Sequence, residues 1–84
     1  MPYYSYVLRS SKSGILYKGF TEDIHKRLET HNQGRVKFTS KYLPWELILF
    51  EEFDSRAKAL QREKWYKTGV GRDWIKKHRE NNNG

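Results

Sequence analysis

Eighty-four residues without one cysteine must be held together by packing alone. A chain this short makes one small domain and is too short for two. No disulfide, cysteine-ligated zinc or iron–sulfur cluster is available to support it. The large apolar side chains therefore carry the fold, and 15% of the residues are aromatic. Where those aromatics fall along the chain constrains the architecture.

Tyr3-Tyr4-Ser5-Tyr6-Val7-Leu8-Arg9 is aromatic and β-rich and predicts a strand. Ser10 to Gly14 is turn material, and Ile15 to Phe20 predicts a second strand joined to the first as a hairpin. The spacing of Tyr6 and Tyr17 pairs them across this ladder or nearly so. Alternation sends Tyr17 and Gly19 to one face and Leu16, Lys18 and Phe20 to the other. Gly19, lacking a side chain, is expected to leave open space beside Tyr17. Thr21-Glu22-Asp23 offers a cap and early negative charge for a helix from about Asp23 to Asn32, stopped by Gly34. Ile24, Leu28 and His31 recur on one stripe of it, with Arg27 one turn before His31. Residues 33–42 are basic and irregular, and Pro44 precedes a third strand, Trp45 to Glu52. Asp54-Ser55 caps a second helix from Arg56 to about Lys67, expected to turn Ala57, Leu60 and Lys64 inward with Ala59 and Glu63 beside them. Thr68-Gly69-Val70-Gly71 reads as a break, and Arg72 to Arg79 as a last short helix. The expected fold is a small α/β layer sandwich: a three-stranded antiparallel sheet flanked by helices, in the order β-β-α-β-α-α. It spans one domain over residues 1–80, followed by a disordered polar tail from Asn81 to Gly84.

Lys and Arg number 17 against 10 Asp and Glu, a net charge of +7. That excess points to a polyanionic partner and salt-sensitive association. No apolar run approaches the roughly 20 residues that span a bilayer, and Met-Pro-Tyr-Tyr lacks the pattern of a signal peptide. A cytoplasmic location without a membrane partner is expected. Arg35, Lys37, Lys41, Lys64 and Lys67 are the candidate nucleic-acid contacts. Phe38, Tyr42 and Trp65 interleave with them and could stack on unpaired bases, while Trp45 and Trp74 read as core. There is no phosphate-cradling glycine loop, no His-x-x-x-His pair and no recognisable nucleophile motif. The remaining candidates are Tyr6, Tyr17, Gly19, Arg27, His31 and Glu63. Taken singly, each has a plain structural explanation: a cross-strand aromatic pair, a strand-ending glycine, a solvated arginine, a boundary histidine, a snorkelled carboxylate. One carboxylate cannot cage a metal, but it can hold one Mg²⁺ whose other positions are water and phosphate.

In order, however, these residues form a pattern. Tyr4-Ser5-Tyr6, ten intervening residues, Tyr17-Lys18-Gly19, then Arg27, His31 and a distant Glu63 resemble the GIY-YIG nuclease domain. Gly19 to Asn32 is similar to that family's second strand and first helix. Pro44-Trp45-Glu46-Leu47, Arg56-Ala57 and Arg62-Glu63-Lys64 resemble its short, stand-alone bacterial branch, similar to the N-terminal nuclease domain of the excision-repair endonuclease. The resemblance implies a divalent-metal-dependent endonuclease that hydrolyses phosphodiester bonds in nucleic acid, with DNA as the partner and repair or recombination as the setting. The alternative is a nucleic-acid-binding module that keeps the fold and does not cut. In the nuclease reading, the resemblance implies Tyr17 as general base, Arg27 on the developing phosphate charge, Tyr6 and His31 ordering the site, and Glu63 binding one Mg²⁺ or Mn²⁺. The sequence departs from the pattern at Tyr4-Ser5, where the family has Gly-Ile, and at Lys18, where a buried Ile is usual. By alternation Lys18 must snorkel past Leu16 and Phe20 or sit at a sheet edge.

Overall fold

A strand whose side chains are buried on both faces belongs in the middle of a sheet. In the first strand, Tyr6 and Leu8 point one way and Ser5 and Val7 the other, and all four are buried. The computed structural model, which describes residues 2–82, puts this strand, β1 (Tyr3–Ser10), between β2 (Leu16–Thr21) and β3 (Trp45–Phe53). Both pairings are antiparallel. Tyr6 lies opposite Gly19, and Leu8 opposite Tyr17, so the two tyrosines are diagonal neighbours rather than direct partners. The β1–β3 register shifts between Val7 and Leu8, which pair with Leu49 and Leu47 and leave Ile48 without a partner. Ile48 and Leu49 then pack into the same apolar cluster, as a bulge allows.

Helix α1 (Ile24–Asn32) and a 3₁₀ turn (Thr39–Tyr42) cover one face of the sheet. There Ile24 joins Tyr6, Leu8 and Trp45 in a buried cluster. Helices α2 (Arg56–Tyr66) and α3 (Gly69–Asn82) cover the other, where Tyr66 and Ile75 close over Val7 and Leu49. The order is β-β-α-β-α-α, the α/β arrangement the periodicities predict. Asp23 and Ser55 cap α1 and α2, their side chains accepting from the Lys26 and Lys58 amides. No helix among the described residues is long and apolar enough to cross a membrane.

Three local expectations are corrected. First, α2 turns Ala59, Glu63 and Tyr66 inward, while Ala57 and Lys64 are exposed. The contacts explain this rotation: Ser5 Oγ donates to the Ala59 carbonyl at 2.5 Å, and Tyr66 hydroxyl donates to Glu51 at 2.5 Å. Second, α3 begins at Gly69 rather than Arg72. Thr68 Oγ1 accepts from the Gly71 amide at 3.0 Å, so the presumed break is a cap. Gly71 permits the close turn, since a Cβ there would run into the Trp65 carbonyl. Third, Trp65 is not a free stacking surface. Arg62 lies 4.0 Å over its ring and 4.5 Å over Trp74, and its Nε donates to Glu51 at 2.8 Å. Trp45 is buried and Trp74 half-buried. The backbone of α3 continues through Asn82, and Asn83 and Gly84 of the expected tail lie outside the described residues.

Candidate active site

β2 is an edge strand, so residues from both of its faces can line a cleft along its free side. A cleft of about 370 Å³ lies there, walled by Tyr6, Tyr17, Lys18, Gly19, Arg27, Glu63 and Lys67 among others. These residues arrive from β1, β2, α1 and the α2 end of the chain. Of the six polar and glycine candidates, Tyr6, Tyr17, Gly19, Arg27 and Glu63 line the cleft directly. His31 stands behind them, fully buried against both tyrosine rings.

The space beside Gly19 is not open, as the sequence suggests. A Cβ at Gly19 would sit 2.5 Å from the Tyr6 hydroxyl, so the missing side chain makes room for Tyr6. That hydroxyl is engaged on both sides. It accepts from Arg27 Nε at 3.3 Å and lies 3.1 Å from His31 Nε2. On its other nitrogen, His31 Nδ1 is 2.8 Å from Thr39 Oγ1, and Thr39 donates to the Val36 carbonyl at 3.3 Å. With the threonine proton committed to that carbonyl, Thr39 accepts from Nδ1–H. Nε2 is then bare and accepts from Tyr6. The donors run one way, from Arg27 through Tyr6 and His31 to Thr39, and among the described residues no buried side-chain polar atom lacks a partner.

The proton affinities follow. Burial pushes the Tyr6 phenol up, opposed by the hydrogen bond and charge of Arg27, so Tyr6 stays a donor. The hydrogen bond to Tyr6 raises the Arg27 guanidinium, against its own partial burial. Burial, then the Arg27 charge, lowers His31 from 6.5 to about 4. An unfolded chain therefore binds this proton between pH 6.5 and 4, and the folded one does not. Stability is fully present above pH 6.5 and is lost as pH falls toward 4, by about 3 kcal/mol from this group. Urea unfolding across that range is expected to show the decline in the wild type and a shallower one in His31→Gln. Equal slopes would mean that His31 is not the titrating group.

Lys18 sits on the edge strand, one of the two placements alternation allows, and lines the cleft. Its pKa is lowered by burial, then by the charges of Arg72 and Lys67. The sequence marks Lys18 only as a departure and does not mark Thr39 at all. Of the five basic candidates, Lys67 lines the cleft and pairs with Glu63 Oε1 at 2.7 Å. Lys64 is exposed and does not line the cleft, and neither do Arg35, Lys37 and Lys41, which are exposed on the segment between α1 and β3.

Glu63 has a 10% exposed side chain. Among the described residues, no three His, Asp or Glu side chains gather into a metal cage. A lone carboxylate beside a cleft fits a hard divalent cation that keeps several waters and takes its remaining ligands from phosphate.

A family model for the GIY-YIG catalytic domain matches residues 2–83. The chain belongs to the GIY-YIG family. Membership places it among nuclease-type domains whose substrate is nucleic acid and which generally use a divalent metal. This GIY-YIG chain is 39% identical over 83 residues to a UPF0213 protein of Streptococcus agalactiae, covering 94% of the chain and 93% of that protein. It is 44% identical over 66 residues to a UPF0213 protein of Bacillus licheniformis, covering 77% of the chain and 67% of that protein. The solution structure of a UPF0213 protein from Bacillus halodurans superposes with a TM-score of 0.53 at 28% identity, covering 89% of this chain and 82% of that one. The three-stranded sheet with its helices is thus the GIY-YIG architecture.

Proposed function

We propose that the chain is a divalent-metal-dependent endonuclease that hydrolyses phosphodiester bonds in DNA, in repair or recombination. The observation that carries the reading is the convergence of Tyr17, Arg27 and Glu63 on one cleft from three separate elements. Tyr6, with its hydroxyl held by Arg27 and His31, orders the site. Tyr17, in the phenolate form that the role of base requires, accepts a proton from the attacking water and becomes the neutral phenol, while the water oxygen forms the new bond to phosphorus as the bond to the leaving oxygen breaks. Arg27 offers its guanidinium to the charge that builds on the phosphate. Glu63 would hold a divalent cation, which would supply positive charge to the phosphate and the leaving oxygen. Lys18 and Lys67 give the cleft wall its positive charge. Beyond the cleft, Arg35, Lys37, Lys41 and Lys64 make further phosphate contacts.

A second reading, a nucleic-acid-binding module that does not cut, is favoured by one observation. The cleft's carboxylate is already paired with Lys67 at 2.7 Å. The discriminating experiment incubates the purified chain with branched, nicked, single-stranded and duplex substrates, with Mg²⁺ or Mn²⁺ and with chelator. Cleavage in metal and none in chelator is expected. Binding without cleavage of any substrate selects the second reading.

A further inference from the structure

Phe38 is an aromatic ring that the core does not absorb. It is 49% exposed, although it lies in a folded segment next to the 3₁₀ turn. Its ring stacks on Tyr17 at 6.1 Å and 29° and leans against Tyr42 at 5.5 Å. Tyr17 is braced in turn by His31 at 4.8 Å and Trp45 at 6.3 Å. An aromatic cluster thus holds the ring at the surface, stacked against a tyrosine of the cleft that is itself braced edge-on by its neighbours. Around it, residues 33–42 carry Arg35, Lys37 and Lys41 and no acidic residue. All three cations are exposed, and among the described residues none is in an ion pair. An apolar ring set among free cations suits a ligand that is planar and anionic at once, which is a nucleobase with its phosphate. Inside a duplex both faces of a base are covered by its neighbours, so a base that lies on this ring comes from an unpaired stretch or, as the blunt-duplex probe below tests, from a duplex end.

We propose that Phe38 is a stacking subsite for one unpaired nucleobase of a single-stranded segment, placing the adjoining phosphate toward Tyr17. The proposal deepens the nuclease reading and rests on it for the meaning of that phosphate. It gives the substrate class as nucleic acid with an unpaired stretch beside the cut.

The test is equilibrium binding by fluorescence anisotropy without metal. The probes are labelled oligo(dT), oligo(rU), an abasic strand of the same length and a blunt duplex. Base stacking on an aromatic side chain is worth ~5- to 150-fold in affinity. The wild type is expected to hold oligo(dT) or oligo(rU) tighter than the abasic strand by a margin in that range, and the strand that shows it identifies the sugar. Phe38→Ala should lose the margin and leave the abasic strand and the duplex unaffected, while Phe38→Trp should keep it. Phe38→Leu retains apolar packing on Tyr17 and Tyr42 without a π face, and it decides the matter if the alanine variant melts early. No margin in the wild type, or a full margin in folded Phe38→Leu, would overturn the subsite. Metal-dependent cleavage is scored separately on the same preparations. Cleavage without a Phe38-dependent margin removes the subsite alone, and a margin without cleavage removes the nuclease reading alone.

Discussion

Tyr17→Phe and Arg27→Ala are each expected to slow single-turnover cleavage by orders of magnitude, and together by less than the product of the two. Loss of a general base typically costs about 10²–10⁴ in rate, and loss of a charge-stabilising donor about 10²–10³. In the proposed mechanism both groups serve one transition state, so removing the second finds less left to lose. The substitutions are mild for the fold. Phenylalanine keeps the ring that Phe38, His31 and Trp45 pack against. Alanine suits the interior of α1, and Tyr6 retains its bond to His31 when the Arg27 contact goes. Folded variants with these losses support the roles. A Tyr17→Phe protein that cuts at the wild-type rate excludes Tyr17 as the base, and normal cleavage by both returns the pair to aromatic packing and surface charge.

The element order was legible because its signals are local. Alternation marks the strands, and Asp23 and Ser55 stand where caps should. The two helix errors have different causes: at α2 contacts distant in sequence override a local pattern, and at α3 a local cap reads as a break. α2 has a weak apolar stripe, so its rotation is chosen by Tyr66 reaching Glu51 and by Ser5 meeting the Ala59 carbonyl. At α3, a glycine ordinarily read as a breaker is required by the nearby Trp65 carbonyl, and Thr68 supplies the cap. The cleft residues were legible as an ordered set through the family resemblance, not through spacing. What spacing misjudged was the use of Gly19, whose emptiness is filled by its cross-strand partner Tyr6. Thr39 lies eight positions from His31 in a polar loop and matches no motif, so only the fold reveals their contact.

Metal-dependent cleavage depends most directly on Glu63 in the proposed mechanism. Gln has the same size and one fewer charge, so Glu63→Gln should fold and bind nucleic acid as the wild type does. The lost pair to Lys67 costs little, because Lys67 is 58% exposed and such pairs are worth at most about 1 kcal/mol. A hard cation, by contrast, needs the carboxylate. A bound metal ion contributes several kcal/mol of transition-state stabilisation, so its loss should slow cleavage on the order of 10³-fold. The decisive measurement is the single-turnover cleavage rate of wild type and Glu63→Gln in Mg²⁺ and in chelator, with binding measured alongside. Fast cleavage is expected only for the wild type in Mg²⁺, with equal binding by both proteins. Cleavage by Glu63→Gln at the wild-type rate, or wild-type cleavage that survives the chelator, would contradict the proposed mechanism.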